Sequence, residues 1–345
     1  MNDFFKKLIS SPTVLPHYFK IPNQNTPDPA SLEGSFETRK HYFSLRVNEM
    51  YLKESRQWFS QIEPMVISIT EYMYNQQFVS NPFVVGSTLL KDKMKGEGEG
   101  MVFRDTRVAG LHPYAGGRFI INIALFRNET ENYLNKTMKF LESVTGVFND
   151  NIAGMLKSFT KVSDVIVSGI EELVNTDKTK PLFGIRKEFD PDAGEAFEPG
   201  YYAMIDKSNN NWDAADFSVD KNNRLLYKNN PFREDEYILF SITKTTERND
   251  YMALPIYKQY DEIRAYAQGI PEVSESEKMK IKEMLRVLNF EMNRSADLTT
   301  ADAERLIDQF FEELKKMVDR KFNWGAAKQL EKNFWSEMDE KITNL

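Results

Sequence analysis

Residues 41–52 have the sequence HYFSLRVNEMYL, and residues 118–126 have the sequence RFIINIALF. In both stretches successive side chains alternate between two faces, and aromatic and β-branched residues are frequent, a pattern typical of half-buried strands. The stretch PMVISITEYMY at 64–74 repeats this pattern. The connecting segments contain Asn81-Pro82 and the sequence HPYAGG at 112–117, which favour turns. Residues 36–130 are therefore predicted to form an antiparallel β-rich domain of the sandwich or barrel type.

The segments on either side of this domain have different patterns. Five prolines lie between residues 11 and 35: Pro12, Pro16, Pro22, Pro27 and Pro29. Because proline fixes φ and lacks an N–H donor, residues 1–35 are predicted to form an extended arm. Apolar residues spaced by three and four predict a helical hairpin over 131–175. Short apolar stretches between asparagine-rich turns predict a small mixed sheet with long loops over 176–250.

The last part of the chain, residues 251–345, has the periodicity of amphipathic helices. Pro255 suits the first turn of a helix, and the sequence DLTT at 297–300 offers an N-cap to another. A final helix is predicted from about Gly325. Because strands and helices are segregated along the chain instead of alternating, the predicted fold class is α+β.

Charge and composition exclude several classes of function. The 345 residues include 45 basic and 52 acidic side chains, giving a net charge of −7, and no cysteine. Without cysteine there are no disulfides, thiolate metal sites or cysteine nucleophiles. No third of the chain is strongly basic, so no nucleic-acid partner is expected. Neither a signal sequence nor an apolar stretch of about 18 residues is found, so a membrane partner is not expected and the predicted location is cytoplasmic.

Two loops are candidates for chemistry. The sequence EFDPDAGEAFEPG at 188–200 carries candidate calcium ligands at Asp190, Asp192, Glu195 and Glu198. A turning backbone rich in carboxylates suits a hard cation, although the sequence does not match the EF-hand pattern. The stretch GEGEG at 96–100 resembles a phosphate-binding loop only superficially, because Glu97 and Glu99 would repel phosphate. Its residues Gly96, Gly98 and Gly100 are instead predicted to form a flexible hairpin tip.

The remaining candidates point to binding rather than catalysis. His112 has no nucleophile elbow to serve and is interpreted as a loop imidazole. Near the end of the chain, Phe322, Trp324, Phe334 and Trp335 are candidate partner-binding anchors, with a place in the helical core as the alternative. The function predicted is a non-enzymatic protein–protein interaction component, a scaffold, adaptor or regulated partner that needs no cofactor. The alternatives are a carboxylate- or cation-dependent hydrolase or binding protein, and a membrane-acting effector activated by cleavage.

Overall fold

A computed structural model of the chain describes residues 16–53, 56–57, 60–61, 63–86, 95–97, 100–128, 179–206, 212–270 and 274–322. These residues divide into two units. The sheet unit contains the chain up to Thr38 and Phe43–Thr245, and the helical unit contains Arg39–Tyr42 and the chain from Thr246 onward.

The strands belong to the sheet unit, apart from Tyr42 at the start of β2. They are β1 (His17–Lys20), β2 (Tyr42–Leu52), β3 (Arg56–Gln57), β4 (Ser60–Gln61), β5 (Glu63–Tyr74), β6 (Gln77–Gly86), β7 (Lys95–Glu97), β8 (Gly100–Pro113), β9 (Phe119–Asn128), β10 (Thr179–Phe189), β11 (Gly200–Ile205), β12 (Phe217–Val219), β13 (Leu225–Tyr227), β14 (Asn230–Pro231) and β15 (Tyr237–Thr245). The strands predicted at 41–52, 64–74 and 118–126 correspond to β2, β5 and β9.

Strands that are distant in sequence form the two larger sheets. A six-stranded sheet has the order β1-β11-β15-β2-β8-β7, and a four-stranded sheet has the order β10-β9-β5-β6. Strand β1 lies within the segment predicted as an extended arm, and it pairs antiparallel with β11, with His17 opposite Ile205. The four-stranded sheet is antiparallel throughout. Strands β12, β13 and β14 form a small third sheet within the region where a small sheet was predicted.

Apolar side chains hold the sheet unit together on both faces of the six-stranded sheet. One cluster joins the two larger sheets and includes Phe43 and Leu45 of β2 with Phe119 and Ile121 of β9. A second cluster on the opposite face packs Tyr237 and Leu239 of β15 against the small sheet and its loops, with Trp212, Phe217, Leu225 and Phe232. Because successive side chains of β15 point to opposite faces of the sheet, they pack into two separate cores.

At one hairpin, the turn lies at a different position from the one predicted from the sequence. Asn81 and Pro82 were predicted to form a turn, but they lie inside β6, with Pro82 opposite Ile69 of β5. Strand β6 is at the edge of its sheet, where the missing N–H of proline is tolerated. The turn is formed instead by Asn75 and Gln76, with φ of +48° and +62°, as a two-residue hairpin with primed geometry requires.

Three α-helices make up the described part of the helical unit: α1 (Pro255–Gly269), α2 (Glu275–Arg294) and α3 (Thr300–Phe322). Their shared core contains Tyr260 and Ile263 of α1, Leu285 and Leu288 of α2, and a long apolar stripe of α3 (Leu306, Ile307, Phe310, Phe311, Leu314 and Val318). Burial removes these side chains from water and supplies most of the free energy that stabilises the three helices.

The N-terminus of α3 is fixed by a buried polar cluster. Thr299 Oγ1 accepts a hydrogen bond from the Asp302 N–H at 3.2 Å, which is the N-cap that the DLTT sequence predicts. The Asp302 carboxylate accepts from the Tyr42 hydroxyl at 2.8 Å and from the Arg248 N–H at 3.1 Å. Arg305 completes the cluster, 2.6 Å from the same carboxylate. Residues 39–42 are thereby attached to the helical unit.

Antiparallel sheets followed by a helical C-terminal region confirm the α+β class. The hairpin predicted over 131–175 and the last helix predicted from Gly325 lie outside the described residues. Among the helices that the structure describes, none is long and apolar enough to span a membrane.

Candidate functional site

In the acidic loop at 190–198, three of the four candidate carboxylates are engaged with neighbouring groups. Asp190 caps a 3-10 turn by accepting from the Asp192 N–H at 3.1 Å. Glu195 accepts from Lys187 at 3.0 Å, and Glu198 accepts from Lys20 at 2.9 Å. Within the described ranges, no group of three or more histidine, cysteine, aspartate or glutamate side chains could hold a metal ion. Calcium binding by this loop stays a prediction.

The other residues singled out by the sequence are spread over the fold. His112 lies in β8. Its ring stacks on the Tyr72 ring, with 5.3 Å between the ring centres, and lies beside Phe43, so it packs among aromatic side chains. Gly96 and Gly100 belong to the antiparallel pair β7–β8, and Gly98 lies outside the described residues. Phe322 is the last residue of α3. The three other candidate anchors, Trp324, Phe334 and Trp335, also lie outside the described part of the chain.

The sheet unit contains a buried ionic cluster that no pattern in the sequence predicts. The Glu49 carboxylate is fully buried and accepts from the Tyr237 hydroxyl at 2.6 Å, the Leu225 N–H at 2.8 Å and the Arg233 guanidinium at 3.1 Å. Burial, with the Glu49 charge, raises the pKa of Tyr237 well above its usual value. These donors surround a carboxylate without exposed surface, so we assign the cluster to stability rather than to ligand binding.

Exposed apolar side chains single out the helical unit. Among the described residues, the large apolar side chains that are exposed are Met252, Met279, Val287 and Phe290. Three of these four belong to α2, where Met279 is 69% exposed and Phe290 is 60% exposed. Isolated exposed apolar residues are ordinary, but several on one helix mark a surface suited to binding.

These residues lie on one face of α2. The face is defined by six exposed residues: Glu275, Met279, Glu283, Arg286, Phe290 and Arg294. At 100° per residue they fall within an arc of about 100°, and Val287 lies beside them. The opposite side of the helix carries the buried residues Ile281, Leu285, Leu288 and Met292. We call the six-residue surface the α2 outer face.

The α2 outer face carries both charged and apolar side chains. Arg286 donates two hydrogen bonds to the Glu283 carboxylate, at 2.8 and 3.0 Å, and these bonds lower the pKa of Glu283. The guanidinium of Arg294 lies 5.1 Å from the centre of the Phe290 ring. From its N-terminus the face therefore presents acid, apolar, acid, base, apolar and base.

A groove of about 450 Å³ adjoins the C-terminal end of this face. Phe290 and Arg294 belong to both, and the groove is lined further by the start of α1 and the end of α2, namely Leu254, Pro255, Ile256, Gln259, Glu291, Ser295 and Asp297. The Gln259 amide donates to the Glu291 carboxylate across it. The lining includes no histidine, and the arrangement suits an apolar side chain of a binding partner better than acid–base chemistry.

The sequence KMKIKEMLRVLNFEMN predicts a helix, which corresponds to α2, but the predicted partner-binding residues were the aromatic ones from 322 onward, and the exposed face of α2 was not among them. A signal was present, because apolar residues in the sequence KMKIKEMLRVLNFEMN occur on both sides of the helix. An isolated amphipathic helix needs only one apolar face. Comparison of the chain with protein-family models gives no match, and comparison with curated proteins gives none either.

Proposed function

We propose that the protein is a non-enzymatic interaction component that binds a protein chain through the α2 outer face. The observation that carries this proposal is the exposure of Met279, Val287 and Phe290 on one rigid helix. Aromatic residues, methionine and arginine are enriched in protein interfaces, and a few such side chains supply most of the binding energy. Residues buried in their own core could not serve this purpose.

The core beneath the α2 outer face also favours binding by this face. Leu285 and Leu288 are buried beneath it, so α2 is held by its core and presents the face without a large ordering cost. The proposed role is that of a scaffold, adaptor or regulated partner in the cytoplasm.

In the sheet unit, two sheets that share one apolar cluster support a sandwich arrangement.

The two other functional hypotheses have no supporting observation among the described residues. The hydrolase hypothesis relies on the acidic loop, in which three of the four candidate carboxylates (Asp190, Glu195 and Glu198) are engaged with lysines or with a backbone N–H group. The membrane-effector hypothesis relies on residues 131–175, which lie outside the described ranges. Both stay predictions.

The proposal is tested by affinity capture with matched variants. Tagged chain is used to capture proteins from an extract of its native host, and stoichiometric proteins, including untagged copies of the chain, are quantified by mass spectrometry. The double variant Val287→Glu/Phe290→Glu is compared with Met252→Glu, which places the same charge at an exposed methionine outside α2. Circular dichroism checks that each variant is folded.

We expect a stoichiometric protein to be captured by the wild type and by Met252→Glu. Its amount should fall at least about tenfold with the double variant, because carboxylates would replace two apolar side chains that contact the partner. The proposal fails if a chain that stays monomeric in solution captures no stoichiometric protein, or if the folded double variant captures the protein equally well.

A further inference from the structure

The α2 outer face has a symmetry that identifies its partner. Glu275 and Arg294 lie at equal distances in sequence from the midpoint between Met284 and Leu285. Met279 and Phe290 share that midpoint, and so do Glu283 and Arg286. We infer that the α2 outer face binds a second copy of itself, with the two helices antiparallel and the two-fold axis at this midpoint. This inference rests on the proposed function and names its partner.

An antiparallel pair satisfies each residue of the face with its complement. A two-fold interface brings residue i against residue j and j against i, so only a self-complementary surface can form one. Around this axis each Glu283 meets Arg286 of the other copy, and each Glu275 meets Arg294. Each Met279 thioether meets the Phe290 ring, which is a favourable sulfur–aromatic contact.

The parallel arrangement of the same helices is disfavoured. It would place every residue of the face against its own copy, so that Glu283, Arg286 and Arg294 would each face a like charge. The steps from Met279 through Glu283 and Arg286 to Phe290 are four, three and four residues. This spacing matches a heptad repeat, in which helices pack side by side at a small crossing angle.

The size of the face predicts a weak dimer. With 20 residues, α2 is about 30 Å long, and one pair of such helices buries less than the roughly 1,200–2,000 Å² of a stable interface. Each Glu283–Arg286 pair is already formed within one chain at 2.8 Å, so dimerisation exchanges charge partners rather than gaining new ones. We expect a dissociation constant on the order of 10 μM, so that copies exchange readily.

Sedimentation velocity on the full chain, from about 1 to 200 μM, tests the dimer. Glu283→Arg and Arg286→Glu should each weaken self-association at least tenfold, because each creates like-charge pairs across the axis. An equimolar mixture of the two variants should dimerise again, because each chain then supplies the charge that the other requires. Lys187→Glu reverses a charge in the sheet unit, and we expect it to dimerise like the wild type.

The absence of cysteine from the sequence makes a second measurement possible. A mixture of the Met279→Cys chain with the Phe290→Cys chain should form an intermolecular disulfide under mild oxidation, whereas either chain alone should not. Equivalent positions are separated by about 16 Å along antiparallel helices, too far for a disulfide. Cross-linking of each variant with itself would establish the parallel arrangement and overturn the inference.

The two proposals fail separately. A chain that stays monomeric up to 200 μM, yet captures another protein through Val287 and Phe290, overturns the second-copy inference and leaves the proposed function in place. Self-association that neither charge reversal weakens also overturns it. A monomer that captures no protein overturns both.

Discussion

At the scale of single residues, the sheet unit depends on one buried charge. Glu49 has no exposed surface, whereas Arg233 is one-fifth exposed and lies 3.1 Å from it. The guanidinium also lies 4.9 Å from the centre of the Tyr51 ring. A buried carboxylate is tolerated only while donors and a cation compensate for its lost hydration.

Replacing Arg233 with methionine should therefore lower the free energy of unfolding by about 3 kcal/mol, because the buried Glu49 side chain would lose its cationic partner. Urea denaturation followed by tryptophan fluorescence measures this loss. Adding Glu49→Gln to the Arg233→Met chain should recover part of it, because the neutral amide needs no cation.

Lys187→Met is the matched control. It breaks an ion pair with Glu195 that is more exposed than the Glu49–Arg233 pair, so it should change stability by less than about 0.5 kcal/mol. Equal losses for Arg233→Met and Lys187→Met would contradict the role assigned to the buried cluster.

At the scale of elements, the helix ends were readable from the sequence. Pro255 begins α1, and Thr299 caps α3, as the local sequence predicts. The β5–β6 turn was missed because Gln76 is not a residue that favours a positive φ. The prediction of a turn at Asn81-Pro82 was wrong. An edge strand tolerates proline, but which strand lies at the edge depends on how the strands pair in the sheet.

The cap of α3 provides a test at this scale. Thr299→Ala removes the acceptor of the Asp302 N–H and should cost about 1 kcal/mol of stability. Thr300→Ala changes an exposed threonine one position later and should cost less than about 0.5 kcal/mol. Thermal unfolding followed at 222 nm compares the two variants, and equal midpoints would exclude the proposed cap.

At the scale of the whole molecule, buried tyrosines set an alkaline limit on stability. Burial is the main cause that raises the pKa of tyrosines in both units: Tyr18, Tyr202 and Tyr237 in the sheet unit, and Tyr42 and Tyr260 in the helical unit. Above about pH 10, the unfolded chain ionises these hydroxyls while the folded chain keeps them protonated. Unfolding then releases protons, so stability is retained below pH 10 and falls as the pH rises further.

Tyr18 allows a clean measurement of this effect. Its hydroxyl is buried, and no hydrogen-bond partner for it is found in the structure as described, so Tyr18→Phe should leave stability at pH 8 nearly unchanged. The variant should release fewer protons on unfolding, by about half a proton at pH 10 and about nine-tenths of a proton at pH 11. Urea unfolding across this pH range measures the slope, and an unchanged slope would show that Tyr18 ionises freely in the folded chain.

Also at the scale of the whole molecule, strand pairing could not be predicted from the sequence, although some of the strands could. Strands β2, β5 and β9 were predictable because a period of two is a local property. The pairing of β10 with β9, and of β11 with β1, was not, because local patterns do not specify a partner in another part of the chain. The α2 outer face was missed for a related reason: its apolar residues are recognisable as a surface only once Leu285 and Leu288 are known to occupy the core.

The pairing of β1 with β11 also has a consequence for biosynthesis. His17 meets Ile205, a separation of about 190 residues, which a ribosome covers in roughly 10–40 s at ordinary rates of elongation. During that interval the nascent β1 has no partner, because β11 is its neighbour in the sheet. An unpaired strand is a template for aggregation, so β1, the first of the described strands to be synthesised, is exposed to this risk for the whole interval.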